Sequence, residues 1–205
     1  MKLAITPRFF ESKVEQLIGI EKKYYPFFQK YGHNINLIPF TGIKPGQYLD
    51  DLKPDAVVFA GGYRLYTDDI KKFETEVLEE TLKRKLPILA ICCGMWTVNG
   101  FFKGTLSFNE SHQAFDGEKI NISKMIHTVK ATDFIKDEIY NVNTFHSKVI
   151  DKLGDGLKTF LLAEDETIEG LYNLDKRIIG VQFHMENKGV SENLTKQIMK
   201  KFEDL

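Results

Sequence analysis

Cys92 and Cys93 follow a short apolar run and stand directly before Gly94 and an amphipathic stretch. The run Pro87–Ile91 has the length and composition of a buried strand, and Gly94 opens a segment with the pattern of a helix. A cysteine on such a strand-to-helix turn is presented at the carboxyl edge of a parallel sheet, among backbone N–H groups of the helix start. The pattern therefore predicts a nucleophilic thiol at Cys92, with Cys93 as the rival nucleophile.

A histidine and a glutamate end a second apolar strand, in Gly180-Val-Gln-Phe-His184-Met-Glu186. Residues two apart in an extended segment project to the same side, so Glu186 is placed to orient the His184 ring. A thiol, an imidazole and a carboxylate are the parts of a hydrolytic triad. His184 would take the thiol proton and return it to the leaving group. A hydrogen-bonded surface pair without a catalytic role is the alternative for these two residues.

Amide cleavage through a thiol also needs two backbone donors for the tetrahedral oxyanion. The candidates are the N–H of Cys93, which follows the nucleophile, and an N–H at Gly62 or Tyr63. Glycine lets the backbone approach a ligand because no Cβ stands in the way.

Strands and helices alternate along the chain, which predicts an α/β fold with a parallel sheet to position these groups. A helical stretch over Val14–Tyr31 is expected, kinked or restarted at Pro26, and Ser191 is expected to cap the closing helix. Three strands in close succession predict a local antiparallel patch. The remaining predicted elements are strands at Lys2–Ile5, Ile35–Pro39, Ala56–Ala60, Phe160–Ala163, Thr167–Tyr172 and Ile178–Phe183, and a helix carrying Ile70, Phe73, Val77, Leu78 and Leu82 on one face.

The composition limits the classes of protein to which this chain can belong. With 205 residues, of which 42% are apolar, the chain can bury one substantial core, and we expect a single domain over residues 1–205. The 28 basic and 29 acidic residues argue against a nucleic-acid partner, and no apolar run is long enough to span a membrane. The amino terminus has too short an apolar patch for a signal peptide, and adjacent cysteines rarely form a disulfide. A cytoplasmic location is therefore expected.

No metal site and no cofactor are expected, because no cluster of His, Cys or Asp has the spacing of metal ligands. His33, which follows Gly32, is expected in a solvent-exposed turn. His112 and His127 show no pairing that spacing would reveal. Glu169 lies on a predicted strand, where a hydrogen-bonding role and a surface role are both open.

The two motifs resemble those of the class I glutamine amidotransferases, and more closely their γ-glutamyl hydrolase branch, which includes γ-glutamyl-γ-aminobutyrate hydrolase and peptidase C26 proteins. That branch has roughly Gly-Ile-Cys-Arg-Gly-Met-Gln and Gly-Val-Gln-Trp-His-Pro-Glu where this chain has residues 90–96 and 180–186. Ala4–Arg8 is similar to the first strand of the family, and Asp55–Gly62 to the strand with its oxyanion-hole glycines. Val142–His146 is similar to its Val-Asn-Ser-Phe-His segment. The resemblance spans nearly the whole chain.

This resemblance implies a flavodoxin-like three-layer sandwich with a central, mostly parallel sheet, a nucleophile elbow and a small antiparallel patch. It implies that a small-molecule γ-glutamyl amide is cleaved through a thioester, releasing glutamate and an amine or ammonia. The compact length is most similar to a short subgroup thought to act on glutamine joined to a nucleotide. Gly61, Tyr63, Trp96 and His146 are expected to bind substrate, although His146 fits the cap of a loop equally well.

Departures from the family pattern fall mainly on residues that would determine substrate specificity. Cys93 replaces the usual Arg or Leu, and Trp96 replaces a Gln that helps to hold the amino-acid head of glutamine. An indole at this position could stack on a planar group. Arg64 stands near a position that is commonly acidic, where it either grips a carboxylate or phosphate or belongs to a solvated loop. Met185 replaces a Pro but leaves the spacing of the triad intact.

Three functional hypotheses remain at this point. The first is a dedicated γ-glutamyl amide hydrolase. The second is a glutaminase subunit that delivers ammonia to a separate synthase, with a homodimer also open. The third is a non-catalytic binding relative, which tight ligand binding without turnover would reveal.

Overall fold

The structure is a computed structural model that describes residues 1–11, 16–40, 42–62, 68–112, 115–116, 119–120, 125–132, 134–136 and 138–205. Its helices are α1 (Tyr24–Lys30), α2 (Pro45–Leu52), α3 (Asp68–Lys83), α4 (Cys93–Phe101) and α5 (Glu192–Glu203), with a 3₁₀ turn at Glu110–His112. Its strands are β1 (Lys2–Ile5), β2 (Arg8–Glu11), β3 (Gln16–Gly19), β4 (Asn34–Leu37), β5 (Ala56–Phe59), β6 (Ile88–Ile91), β7 (Thr105–Phe108), β8 (Phe115–Asp116), β9 (Lys119–Ile120), β10 (Ile126–Ala131), β11 (Ile139–Asn143), β12 (Lys148–Lys152), β13 (Lys158–Ala163), β14 (Ile168–Asn173) and β15 (Ile178–Val181).

The central sheet has nine strands in the order β11-β10-β13-β14-β15-β6-β5-β1-β4. The strands β4, β1, β5, β6 and β15 are parallel neighbours, and their chain order is the 2-1-3-4-5 order of flavodoxin-like sheets. The other four strands continue the sheet beyond β15 in antiparallel pairs. The predicted fold class is confirmed, and the predicted antiparallel patch is an extension of the main sheet.

Helices cover both faces of the parallel strands. Successive residues of a buried strand point to opposite faces, so each strand contributes side chains to a core cluster on either side of the sheet. On one face, Leu3, Ile5, Val58 and Leu89 belong to a core cluster with residues of α1 and α5, among them Tyr24, Phe28, Leu194 and Phe202. On the other face, Ala4, Val57, Phe59 and Ile88 belong to a cluster with residues of α2, α3 and α4, among them Leu49, Val77, Leu78 and Met95. The result is the three-layer arrangement.

The prediction of a helix from Val14 onward is wrong for its first part. Residues 16–19 form β3, which pairs antiparallel with β2, and α1 begins only at Tyr24; residues 12–15 lie outside the described residues. Pro26 falls in the first turn of α1, where its missing N–H removes no helical hydrogen bond. Leu17 and Ile18 are 48% and 44% exposed, so their apolar pattern does not mark a buried helix face.

Two local predictions differ because the residues find partners far away in the sequence. His33 is buried rather than exposed, with Nε2 3.0 Å from the Glu203 carboxylate at the end of α5. Ser191 does stand at the N-cap position of α5, but its hydroxyl makes no capping bond and instead accepts the N–H of Asn141 at 2.9 Å. Sequence neighbours alone do not reveal such contacts.

Among the described helices, none has the length and apolar character needed to cross a membrane.

Candidate active site

The carboxyl ends of four parallel strands meet at one edge of the sheet. Thr6 follows β1, Gly61 follows β5, Cys92 follows β6, and His184 lies beyond β15. Ligands of open α/β sheets bind at this edge. The predicted nucleophile and the predicted base therefore share the location that the fold favours for chemistry.

Cys92 occupies a strained turn between β6 and α4. Its backbone has φ 51° and ψ −112°, a conformation that a side-chain-bearing residue rarely adopts. The turn is held on both sides, because the Cys92 N–H donates to Val181 O at 2.8 Å and its carbonyl accepts the N–H of Met95 at 2.9 Å. A Cβ at Gly94 would lie 2.3 Å from the carbonyl oxygen of Phe59, so glycine is required for α4 to pack against β5.

The two cysteine side chains are buried, with different neighbours. The Cys93 sulfur lies 3.7 Å from the carbonyl oxygen of Ala60 and 3.8 Å from that of Gly62. The side-chain amide of Gln182 approaches the Cys92 sulfur at 3.7 Å. Cys93 therefore packs behind the turn, against the residues that follow β5.

The two thiols influence each other's ionisation. A hydrogen bond with the Cys92 thiol, opposed by burial and assisted by the positive charge of Arg8, lowers the pKa of Cys93 to about 6. The same hydrogen bond, together with burial, raises the pKa of Cys92 well above its usual value. The pair therefore loses its first proton readily and holds the second tightly, so the two thiols titrate as a unit.

A buried ion pair lies behind the cysteines. The Arg8 guanidinium, 3% exposed, donates through Nη1 to Glu74 at 2.8 Å. Glu74 also accepts the hydroxyls of Thr6 at 2.8 Å and Thr97 at 2.6 Å. These bonds connect the end of β1 to α3 and α4. They hold a positive charge near Cys93 while Nε and Nη2 of Arg8 make no hydrogen bond to the described residues.

His184 is held on two sides. Its Nδ1 lies 2.5 Å from the Glu186 carboxylate. Asn143 brackets its backbone, accepting the His184 N–H at 2.9 Å and donating to the His184 carbonyl at 2.8 Å. Burial lowers the pKa of His184, but the Glu186 carboxylate outweighs this effect, and the net shift is upward. The arrangement orients the ring and stabilises its protonated form.

Gly61 lies against the side chains of both Cys92 and His184. A Cβ at this position would be 2.6 Å from Cε1 of His184, 3.2 Å from its Nε2 and 3.1 Å from Cβ of Cys92. The Gly61 N–H donates to the Tyr24 hydroxyl at 2.8 Å. Gly61 therefore marks the point where the ring edge carrying Nε2 comes near the cysteine.

Of the residues expected to bind substrate, the structure describes Trp96 but not Tyr63. Tyr63 lies outside the described residues, as does Arg64. The Trp96 indole N–H donates to Oε1 of Gln182 at 2.7 Å, and Gln182 in turn approaches Cys92. The Trp96 ring is thus connected to the nucleophile through Gln182.

His146 is buried in a second group of polar residues with His112, His127 and Glu169. Burial raises the pKa of Glu169 and lowers that of His146, and the neighbouring histidines lower the latter further. A cleft of about 410 Å³ borders this group at His112 and His127. No metal site was expected from the sequence, yet His112, His127 and Glu169 stand close enough to share an ion.

Sequence reasoning assigned no role to Arg8, Asn143 or Gln182. All three stand inside the motifs that carried the family resemblance, at or just after strand ends. The available signal was a polar residue at the end of a buried strand. This signal does not identify the hydrogen-bond partner, because each of the three residues contacts a segment distant in the chain.

Comparison with known proteins agrees with the fold and the motifs. A family model for Peptidase C26 matches residues 22–186. γ-Glutamyl-CDP-amidate hydrolase of Campylobacter jejuni is 32% identical over 154 residues, which are 72% of this chain and 68% of that protein. Glutamine-hydrolysing GMP synthase of Dictyostelium discoideum is 29% identical over 133 residues, 63% of this chain but only 18% of that protein. The solved structure of a Thermoplasma acidophilum protein, provisionally assigned to GMP synthase, has a TM-score of 0.73 at 17% identity and covers 98% of this chain and 92% of its own.

Proposed function

Because this chain belongs to the Peptidase C26 family, we propose that it is a cysteine hydrolase that cleaves the amide of a γ-glutamyl compound through a thioester on Cys92. The family relationship supports cleavage of glutamine-type amides in general. One observation carries the finer proposal. Cys92 occupies a strained strand-to-helix turn, and a Cβ at Gly61 would lie within 3.2 Å of both the Cys92 side chain and the ring of His184, which is bonded to the Glu186 carboxylate.

The proposed reaction uses each residue for a definite step. His184 accepts the Cys92 proton, and the thiolate attacks the γ-amide carbon; the imidazolium then protonates the leaving amine. Glu186 keeps the ring oriented and stabilises its positive form. Water activated by His184 hydrolyses the thioester and releases glutamate.

The negative charge of the cysteine pair supports transfer of the Cys92 proton to His184. Above a pH of about 6 the two sulfurs share one proton. Together with Glu186, the charge of the ionised Cys93 raises the pKa of His184 against the effect of burial, which makes the ring a better acceptor for that proton.

The oxyanion of the tetrahedral intermediate needs two donors. The Cys93 N–H faces the Cys92 sulfur and favours its ionised form. The Gly61 N–H is engaged by Tyr24, which leaves Gly62 as the better candidate for the second donor. A Cβ at Gly62 would lie 2.7 Å from the Arg8 side chain, so this position also requires glycine.

Glutamate release by the purified protein tests the proposal. The panel contains glutamine, γ-glutamyl amines, γ-glutamyl peptides and nucleotide-linked glutamine, the last suggested by the name of the Campylobacter relative. We expect release from one conjugate in preference to free glutamine. Cys92→Ala should abolish it, while Cys93→Ala keeps a substantial part. The reverse result for the two variants would overturn the assignment of the nucleophile, and silence across the panel would refute the hydrolase proposal.

A glutaminase subunit that feeds ammonia to a separate synthase is the second candidate. The similarity to part of a glutamine-hydrolysing GMP synthase favours it. In that case the chain alone would release ammonia from glutamine slowly, and a synthase partner would increase the rate. A rate that is independent of any added protein would favour the hydrolase.

A further inference from the structure

Three histidines and one glutamate converge among the antiparallel strands of the sheet and the segments that connect them. His112 ends the 3₁₀ turn, His127 lies on β10, His146 follows β11, and Glu169 lies on β14. The side chains of His112, His146 and Glu169 are at least nine-tenths buried. Four segments distant in the sequence thus bring polar side chains into one enclosed place.

The distances within this cluster are those of metal ligands rather than of hydrogen bonds. Glu169 Oε1 lies 3.7 Å from His112 Nδ1, 3.6 Å from His127 Nε2 and 3.5 Å from His146 Nε2. Hydrogen bonds of this type have N···O distances of about 2.7–3.2 Å. Ligands at about 2.0–2.1 Å from a tetrahedral zinc ion are separated from one another by about 3.3–3.4 Å. The distance from Glu169 Oε1 to each histidine nitrogen is therefore close to the edge of such a tetrahedron.

The inward-facing atoms lack partners among the described residues. His112 Nδ1, His127 Nε2, His146 Nε2 and both carboxylate oxygens of Glu169 are buried without a hydrogen bond. Buried polar atoms are nearly always paired with protein, water or an ion. Five such atoms gathered in one place therefore point to a common partner.

The hydrogen bonds of the outward-facing ring nitrogens determine the histidine tautomers, and therefore which nitrogens present lone pairs to Glu169. His146 Nδ1 lies 3.2 Å from the Lys148 carbonyl, and His112 Nε2 lies 3.2 Å from the Asp165 carboxylate. Both partners only accept hydrogen bonds, so these nitrogens carry the protons, and the inward nitrogens present lone pairs to Glu169. His127 Nδ1 is bonded to the Thr144 hydroxyl at 2.7 Å. Ligating histidines typically have this outer support from a carboxylate, carbonyl or hydroxyl.

Lone pairs of imidazole and of a carboxylate repel each other unless a proton or a metal ion lies between them, and the N···O distances of 3.5–3.7 Å are too long for a shared proton. We propose that His112, His127 and Glu169, whose ligand atoms all lie within 4.8 Å of one another, bind a divalent transition-metal ion of the zinc type, with His146 beside Glu169 at the edge of the site. Imidazole and carboxylate are ligands that zinc accepts, and a site with three protein ligands leaves a fourth position open. The cleft beside His112 and His127 offers the ion a way in.

The proposed ion would brace the segment that supports the catalytic histidine. Phe145, next to His146, packs edge-on against the His184 ring with centroids 5.7 Å apart. Asn143 bonds the His184 backbone on both sides. Because binding is measured without turnover, failure of this proposal and failure of the proposed function can be told apart.

Zn²⁺ titration by calorimetry tests the site. The full chain would carry Cys92→Ser and Cys93→Ser, so that thiols contribute no binding, and would be stripped with a chelator. We expect one ion per chain. Replacement by Co²⁺ should give the intense visible absorption of a tetrahedral site.

Variants then locate the ion. Glu169→Gln, which keeps the shape but removes the charge, should weaken binding by more than about 100-fold, the upper end of what loss of an outer-shell partner costs. His33→Gln is the matched control, because His33 is also buried beside a carboxylate but lies outside the cluster. Its affinity should be unchanged. If Glu169→Gln does not fold by circular dichroism, His112→Gln takes its place. No stoichiometric binding by the parent, or equal affinity in the cluster variant, would overturn the proposal.

Discussion

Substitution of Gly61 by alanine tests whether the thiol and the imidazole act together. The added methyl group would lie 2.6 Å from Cε1 of His184 and 3.1 Å from Cβ of Cys92, where ordinary contacts begin at 3.4 Å. The ring cannot retreat freely, because Glu186 holds its Nδ1 at 2.5 Å and Asn143 holds its backbone. The two reacting groups must therefore move apart.

The magnitude follows from the required displacement. Restoring ordinary contact needs a shift of about 0.8–1 Å, and a misplacement of about 1 Å costs roughly 100-fold in rate. This corresponds to about 2.7 kcal/mol in the activation barrier. Overpacking should also lower the free energy of unfolding by about 1–3 kcal/mol. The rate effect should appear in kcat, with little change in KM, since contacts to the substrate are not removed.

Steady-state glutamate release, and alkylation by the glutamine-shaped electrophile 6-diazo-5-oxo-L-norleucine, would measure the effect. Gly100→Ala is the control, because Gly100 lies in α4 with nothing within 4 Å of the added methyl group. That variant should keep full activity and gain about 0.5–1 kcal/mol in stability. A Gly61→Ala enzyme with a kcat within a few-fold of the parent would refute the proposed contact between thiol and imidazole.

Three further predictions concern strain and charge at the same edge. Cys92→Gly should be about 1–3 kcal/mol more stable to urea than Cys92→Ala, because only glycine relieves the positive φ; equal stability would contradict the strain. In the parent, iodoacetamide labelling of the cysteine pair should have its pH midpoint at about 6. In Arg8→Met this midpoint should rise, because a positive charge near Cys93 is lost. It should not change in Arg84→Met, since the Arg84 guanidinium, 25% exposed, pairs instead with Asp50 and Glu80. The raised pKa of His184 predicts that its pair with Glu186 stabilises the fold fully below the unfolded pKa of about 6.5 and loses this effect as the pH rises through the folded pKa. The stability difference between the parent and His184→Gln, measured by urea unfolding, should therefore shrink toward alkaline pH; a constant difference would contradict it.

The parallel part of the fold was predictable because its signals are local. The strands around Val57, Leu89 and Ile179 are short apolar runs, and the helix at Phe73 has a clear periodic face. The hairpin of β2 and β3 was not predictable in the same way. Most of its apolar residues, such as Leu17, are exposed, although Phe9 is buried, so their spacing does not indicate a buried face.

The same distinction between local and long-range signals applies to the candidate site. Cys92, His184 and Glu186 stand in two short motifs, and residues two apart on an extended segment can be related without a structure. The cluster around Glu169 cannot, because its members come from four separate segments and their sequence spacing resembles no known ligand pattern. Asn143 and Arg8 were visible only as residues within motifs, since their partners lie across the fold.

The alignment of Cys92 with His184 is set by backbone pairing as much as by side chains. Val181 pairs with Ile91 in parallel register, and the Cys92 N–H donates to the Val181 carbonyl at 2.8 Å. A slip of one residue would turn His184 to the opposite face of the sheet. Pairing of β6 with β15 also closes a long stretch of chain that contains the strands β7 to β14. Closing so long a stretch costs conformational entropy and slows folding. Recovery of activity during refolding should therefore coincide with this long-range closure and follow the formation of the helices.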